Sequence, residues 1–184
     1  MTQFEYLAVS VAILISIAVA RIVSGLPHTL AGGRRYVLHY GWTVVWLWSL
    51  VISWWGIWSY RDLEWTLVRF LLFLSPSGPV LFVAYTLVPE NPERVATWKE
   101  YFHAVRRPLF GASMIFYLLL LINQSVLESI PIFDQRRVAL AVLLVAAAVG
   151  FWSRNTRIQG IVLGISVAAF VALFVSIALE PLIT

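Results

Sequence analysis

Five consecutive residues, Ser75-Pro76-Ser77-Gly78-Pro79, interrupt an otherwise apolar stretch and are the first place where residue type suggests chemistry. Proline has no amide hydrogen, so Pro76 and Pro79 leave the carbonyls of Leu72 and Ser75 without their helical donors. A break there would expose backbone dipoles near mid-membrane, which in transporters hold ions or small anions. A kink healed by the Ser75 and Ser77 hydroxyls is the structural alternative. Arg69 lies about two turns inside the same stretch, and a full charge at that depth needs a partner or a route to water. Glu180, which continues the spacing of the last apolar stretch, is its expected partner. Trp46 and Trp48 sit deep in a stretch that also holds Trp42, Trp54, Trp55 and Trp58. They are placed to stack on a pigment, quinone or cation, although aromatic packing explains them equally simply. Arg69, Ser75 to Pro79, Trp46, Trp48 and Glu180 together make the candidate ion or ligand site.

Other chemistries find no footing. The chain has no cysteine, which excludes disulfides, thiolate metal sites and cysteine nucleophiles. A retinal-type Schiff base needs a lysine inside the membrane, and Lys99 falls outside the apolar stretches. His28, His39 and His103 lack metal- or haem-ligand spacing, and no mid-depth carboxylate points to proton coupling. Nucleophile elbows and phosphate loops are missing too. No metal, cofactor or catalytic residue is therefore assigned.

The elements that position these residues follow from solvation. Hydrophobic residues are 61% of the 184 and charged residues 12%, and the mean hydropathy is +0.87, too apolar for a soluble domain. The apolar residues fall in blocks close to the ~20 helical residues that cross a bilayer. Lipid offers no hydrogen bonds, so each block must close its own backbone bonds as a helix. The fold class is thus all-α: a polytopic transmembrane helical bundle of about six spans, in one domain covering 1–184. The spans fall at about 4–26, 37–60, 63–88, 109–127, 138–152 and 158–179. A short amphipathic surface helix is expected at about 92–106, with Asn91 as N-cap and Pro92 in its first turn. Its basic side, Arg94, Lys99, Arg106 and Arg107, would meet anionic lipid.

A net charge of +4 does not imply nucleic acid here, because the basic residues stand at span ends rather than in one stripe. Arg34, Arg35, Arg94, Lys99, Arg106, Arg107, Arg154 and Arg157 share one side of the membrane. Arg61, Arg136 and Arg137 share the other with most of the acidic residues. The positive-inside rule puts both termini outside, and Arg21 is close enough to the inner end of the first span to snorkel. The first span has Glu5 and no cation at its amino end, so it reads as a retained span and not a cleaved signal.

Two spans carry small residues at every fourth position: Ala8, Ala12, Ser16, Ala20 and Ser24 in the first, and Gly160, Gly164, Ala168, Ala172 and Ser176 in the last. Such faces let helix backbones approach closely. The simpler arrangement packs the first span against the last; the other is a seam between copies of the chain.

Phe4-Glu5-Tyr6-Leu7, the Ala20 to Leu26 end of the first span, the tryptophan-rich second span, Tyr101-Phe102 and Arg106-Arg107-Pro108-Leu109-Phe110 resemble a family of small bacterial multi-pass inner-membrane proteins. The resemblance implies a bacterial plasma-membrane location and no particular activity. The Ser75 to Pro79 run departs from the family's more aliphatic sequence there. The leading functional expectation is a non-enzymatic helical scaffold that self-associates or docks in a membrane complex. The alternatives are a small oligomeric channel or solute carrier using the third-span break, and a redox or pigment-binding subunit.

Overall fold

The computed structural model describes residues 3–30 and 36–178. Its helices are α1 (Gln3–Leu30), α2 (Val37–Gly56), α3 (Leu67–Leu74), α4 (Ser77–Leu87), α5 (Trp98–Val126), α6 (Gln135–Trp152) and α7 (Thr156–Ala178). No strand occurs among the described residues. A 3-10 turn, Ile57–Tyr60, extends α2, and α3 with α4 makes one span. The described residues thus hold six helices long and apolar enough to cross a membrane.

The spans form a closed circuit. α1 packs on α4, α4 on α5, α5 on α6, α6 on α7, α7 on α2 and α2 on α1, while α2 also touches α4 and α5 across the middle. Because successive spans run in opposite directions, the bundle has two distinct ends. One carries the 57–66 and 127–134 connections, and is called here the Glu128 end. The other carries the 88–97 and 153–155 connections, the Arg106 end.

The expected surface helix does not form separately. Pro92–Arg94 makes only a 3-10 turn, and a single helix then runs from Trp98 to Val126 through Pro108. Thr97 caps it by accepting the Glu100 N–H (3.3 Å), an N-cap bond that starts the helix later than Asn91 would. Pro108 does not stop it, since the carbonyl it orphans belongs to Ala104 on the exposed face.

Arg106 is the clearest departure from the expected basic lipid-facing surface, being only 1% exposed. Its guanidinium donates to the Ser153 carbonyl at the C-terminus of α6. Gln159 Nε2 donates to the Gly150 (2.8 Å) and Ser153 (2.7 Å) carbonyls of the same terminus. At the end of α4, Arg21 donates to the Val88 carbonyl (2.9 Å) and lies over the Tyr85 ring, while Tyr101 donates to the Thr86 carbonyl (2.8 Å). Helix C-termini have unpaired carbonyls and partial negative charge, so cations and donors satisfy them. These bonds, with His39 stacked on Trp98 (4.7 Å) beside Tyr101 and Phe102, tie α1, α4, α5 and α6 together at the Arg106 end. Arg94, Lys99 and Arg107 remain exposed.

The small-residue ladders are not the packed faces. Ser16, Ala20, Ser24, Gly160, Gly164 and Ala168 are exposed, and Ala8, Ala12, Ala172 and Ser176 half-buried. The first and last spans are not principal neighbours, for α2 stands between them. Close approaches occur instead at other glycines: a Cβ on Gly25 would meet Val88 at 2.3 Å, on Gly41 Leu163 at 2.5 Å, and on Gly150 the Phe110 ring at 2.7 Å. Gly160 and Gly164 have nothing within 4 Å of that position.

Candidate functional site

The third span passes through the prolines without unwinding. Ser75 (φ −56°, ψ −35°) and Pro76 (φ −66°, ψ −20°) keep helical dihedrals between α3 and α4, because the φ fixed by the proline ring is itself helical. The Leu72 carbonyl that Pro76 orphans is taken by the Ser75 hydroxyl (2.7 Å) and by Nδ2 of Asn123 from α5 (3.0 Å). Of the two carbonyls expected to be exposed, that of Leu72 is therefore internally satisfied. Pro76 and Ser77 themselves stand on the wall of a partly open cavity.

That cavity, of about 130 Å³, lies toward the Glu128 end and is lined from all six spans. Val11 and Ile15 come from α1, Leu50 and Ser53 from α2, Phe73 from α3, Val80 from α4, Leu140 from α6 and Leu173 from α7. α5 gives Phe116, Leu120 and the adjacent amides Asn123 and Gln124, and the end connections give Tyr60 and Glu128. The wall is mostly apolar with a few convergent polar groups, the usual make-up of a small-molecule site.

The polar groups are fixed by local structure. α5 ends as the chain turns through Ser129 at positive φ (54°), and the Ile130 N–H returns to the Gln124 carbonyl (3.0 Å). This turn carries Glu128 to the hydroxyl of Tyr60, which donates to its carboxylate. Asp134 caps α6 by accepting the Arg136 N–H (2.8 Å) and pairs with its guanidinium (3.2 Å). Partial burial pushes the Asp134 carboxyl up, but the Arg136 N–H, the Arg136 guanidinium and the Arg137 charge outweigh it and hold the carboxyl below its ordinary range. An aromatic group flanks the cavity: Tyr60 and Trp65 meet Phe73 at 5.1 and 5.2 Å, and Phe4 stacks on Trp65 at 6.4 Å.

The residues singled out from sequence are only partly gathered. Pro76 and Ser77 line the cavity, whereas Gly78 and Pro79 line a lateral groove with Phe82, Arg107, Gly111 and Phe151. Trp46 is buried in the middle of the bundle, 5.3 Å from Phe116 and stacked at 6.2 Å on Tyr117. Trp48 faces outward against Phe174 (5.1 Å), so the two do not share a site. Arg69 is not deep: α3 begins at Leu67, Thr66 caps it, and the guanidinium donates to the Glu64 carbonyl (2.5 Å). Glu180, its expected partner, lies outside the described residues.

Asn123, Gln124 and Tyr60 were not singled out by sequence reasoning. The available signal was an adjacent pair of amides within the last turns of an apolar span, where each unpaired polar atom is costly. His28 is exposed, and His39 and His103 lie on either side of a shared neighbour, the Phe102 ring, at 6.5 and 5.7 Å. No group of three metal-ligating side chains occurs among the described residues. No family model, curated protein or solved structure matches the chain.

Proposed function

We propose that this chain is a membrane-embedded carrier that holds a small organic solute in the cavity at its Glu128 end. The observation that carries this reading is the convergence of all six spans on one void, with the buried amides Asn123 and Gln124 on its wall. The step between α3 and α4 borders the same void at Pro76 and Ser77, so a change of angle there would change the site, as it does at the discontinuous helices of carriers. The likeness to bacterial multi-pass proteins supports a plasma-membrane setting, with the Arg106 end cytoplasmic by the charge rule. Exposed Arg94, Lys99 and Arg107 would then meet anionic headgroups.

The test is solute flux in proteoliposomes together with Ser77→Phe, which fills the void from a cavity-lining position. Uptake by the wild-type chain that falls at least tenfold in a folded Ser77→Phe variant is the expected result. Equal uptake by both would remove the cavity from the pathway.

A second reading, self-association as a scaffold, is favoured by the exposed ladders of α1 and α7, above all by the open space over Gly160 and Gly164. Its measurement is the mass of the protein in mild detergent. A shift toward monomer in Gly164→Leu supports the seam, and an unchanged mass removes it.

A further inference from the structure

We infer that the lateral groove between α4 and α5 is the site of one anionic phospholipid, with its acyl chain in the groove and its phosphate at Arg107. The inference stands apart from the carrier reading; it narrows the attraction of the Arg106 end for anionic headgroups to a single bound lipid. Ser77 lines the cavity, whereas the next residue, Gly78, lines the groove with Phe82 of α4, Arg107, Gly111 and Ile115 of α5, and Phe151 of α6. Missing side chains make this groove. A Cβ on Gly78 would meet nothing within 4 Å, and one on Gly111 only the Phe151 ring, at 3.6 Å.

The two ends of the groove differ in depth and in charge. α4 runs from Ser77 toward the Arg106 end and α5 runs away from it, so Gly78 and Ile115 lie deepest and Arg107 stands at the mouth. Arg107 and Ile115 share one helix and are separated by about 12 Å along its axis, against about 15 Å for the hydrocarbon of one leaflet. A lipid chain entering beside Arg107 therefore runs the length of the groove and leaves its phosphate at the mouth. Any lipid-facing groove holds some chain, and the mouth gives this one its preference. Arg107 is exposed, its guanidinium 6.0 Å from the Phe151 ring centroid, and it has no carboxylate partner among the described residues. Arg106 beside it is already bonded to the Ser153 carbonyl and feels the like charges of Arg154 and Arg107. Arg154, just beyond Phe151 in sequence, is also exposed and also lacks a carboxylate partner among the described residues. A phosphate accepts from guanidiniums with strong, charge-assisted bonds, and basic pockets between spans on the cytoplasmic side bind anionic headgroups. A choline headgroup would bring a further cation into this cluster, so net negative charge is preferred.

The full chain is delipidated in mild detergent and offered equimolar phosphatidylglycerol and phosphatidylcholine with the same acyl chains; native mass spectrometry counts the lipids retained. One phosphatidylglycerol per chain is expected, favoured over phosphatidylcholine by roughly fivefold or more, which is what one cation beside an anionic headgroup contributes. Gly78→Leu, which fills the groove, and Arg107→Gln should each reduce that adduct by roughly the same factor. Arg94→Gln should leave it unchanged, because Arg94 lies at the same end on the 3-10 turn that packs on α1. If Gly78→Leu fails to fold, Gly111→Leu fills the groove from α5. Undiminished binding by a folded groove-filled variant, equal losses in Arg107→Gln and Arg94→Gln, or equal retention of the two lipids would overturn the inference in favour of diffuse attraction. Displacement of the lipid by free glycerol 3-phosphate would overturn it too, by assigning the site to a soluble phosphate. None of these outcomes bears on solute flux, which Ser77→Phe tests separately.

Discussion

Ser129 leaves α5 at φ 54°, a conformation that costs an L-residue roughly 1 kcal/mol and glycine almost nothing. The turn it makes carries Glu128 to Tyr60, so a serine with no left-handed preference is held there by the bonds on either side of it. Ser129→Gly should therefore raise stability by about 0.5–1 kcal/mol, read as an upward shift of the thermal midpoint in detergent. A lowered midpoint would mean that the serine contributes more than its backbone. Asp134 gives a prediction in pH. Its carboxyl is held below its unfolded value, so its contribution is complete above the ordinary carboxylate range and is lost as pH falls through the folded value. Asp134→Asn keeps a good helix cap without a titrating group. The variant should match the wild type in the slope of stability above pH 5 and lose less stability between pH 5 and pH 2, which denaturation at stepped pH would measure. A variant that lost stability in parallel with the wild type would place the acid sensitivity elsewhere.

Among elements, the glycines separate packing from its appearance. Gly150 of α6 lies under the fully buried Phe110 ring, with a Cβ position 2.7 Å from it, and Gly164 of α7 faces open space. Alanine gains about 1 kcal/mol of helix propensity over glycine at either place, but at Gly150 this is opposed by about 1–3 kcal/mol of overpacking. Gly150→Ala should thus unfold at lower temperature than the wild type and Gly164→Ala at higher temperature. Equal shifts would deny that α5 and α6 meet so closely. The same pair marks what the sequence discloses about such a fold. The six spans were legible because hydropathy and length report directly on the bilayer. Which face of each span packs was not, since lipid-facing and protein-facing positions are both apolar and polarity no longer separates them. The ladders of α1 and α7 therefore drew attention that belonged to Gly25, Gly41 and Gly150. The orphaned carbonyl four residues before Pro76 was legible, as was the Ser75 hydroxyl that accompanies it, but the second side-chain donor comes from Asn123, 51 residues away, and no local pattern announces it. Arg106 misled for a related reason: its place in a basic run suggested headgroups, while the carbonyls at the end of α6 needed a donor.

Orientation of the whole molecule decides what the cavity faces. The Arg106 end exposes Arg94, Lys99, Arg107, Arg154 and Arg157, whereas the Glu128 end mixes Arg61, Arg136 and Arg137 with Asp62, Glu64, Glu128 and Asp134. Because cations near span ends resist translocation, the first end should be cytoplasmic and the cavity should lie toward the outside. A membrane potential negative inside favours inward movement of a cation by about 2.3 kcal/mol per 100 mV. A cationic solute taken up at the Glu128 end would thus be drawn toward the Arg106 end, where Arg21, Tyr101, Arg106 and Gln159 bond the helix-terminal carbonyls. The chain has no cysteine, so single cysteines report the orientation without background. Asp62→Cys, at an exposed position of the Glu128 end, should react with a membrane-impermeant maleimide in intact cells. Ala96→Cys, exposed at the Arg106 end, should react only after permeabilisation. The reverse labelling would turn the molecule over, put the cavity mouth in the cytoplasm, and make the potential oppose cation exit through it.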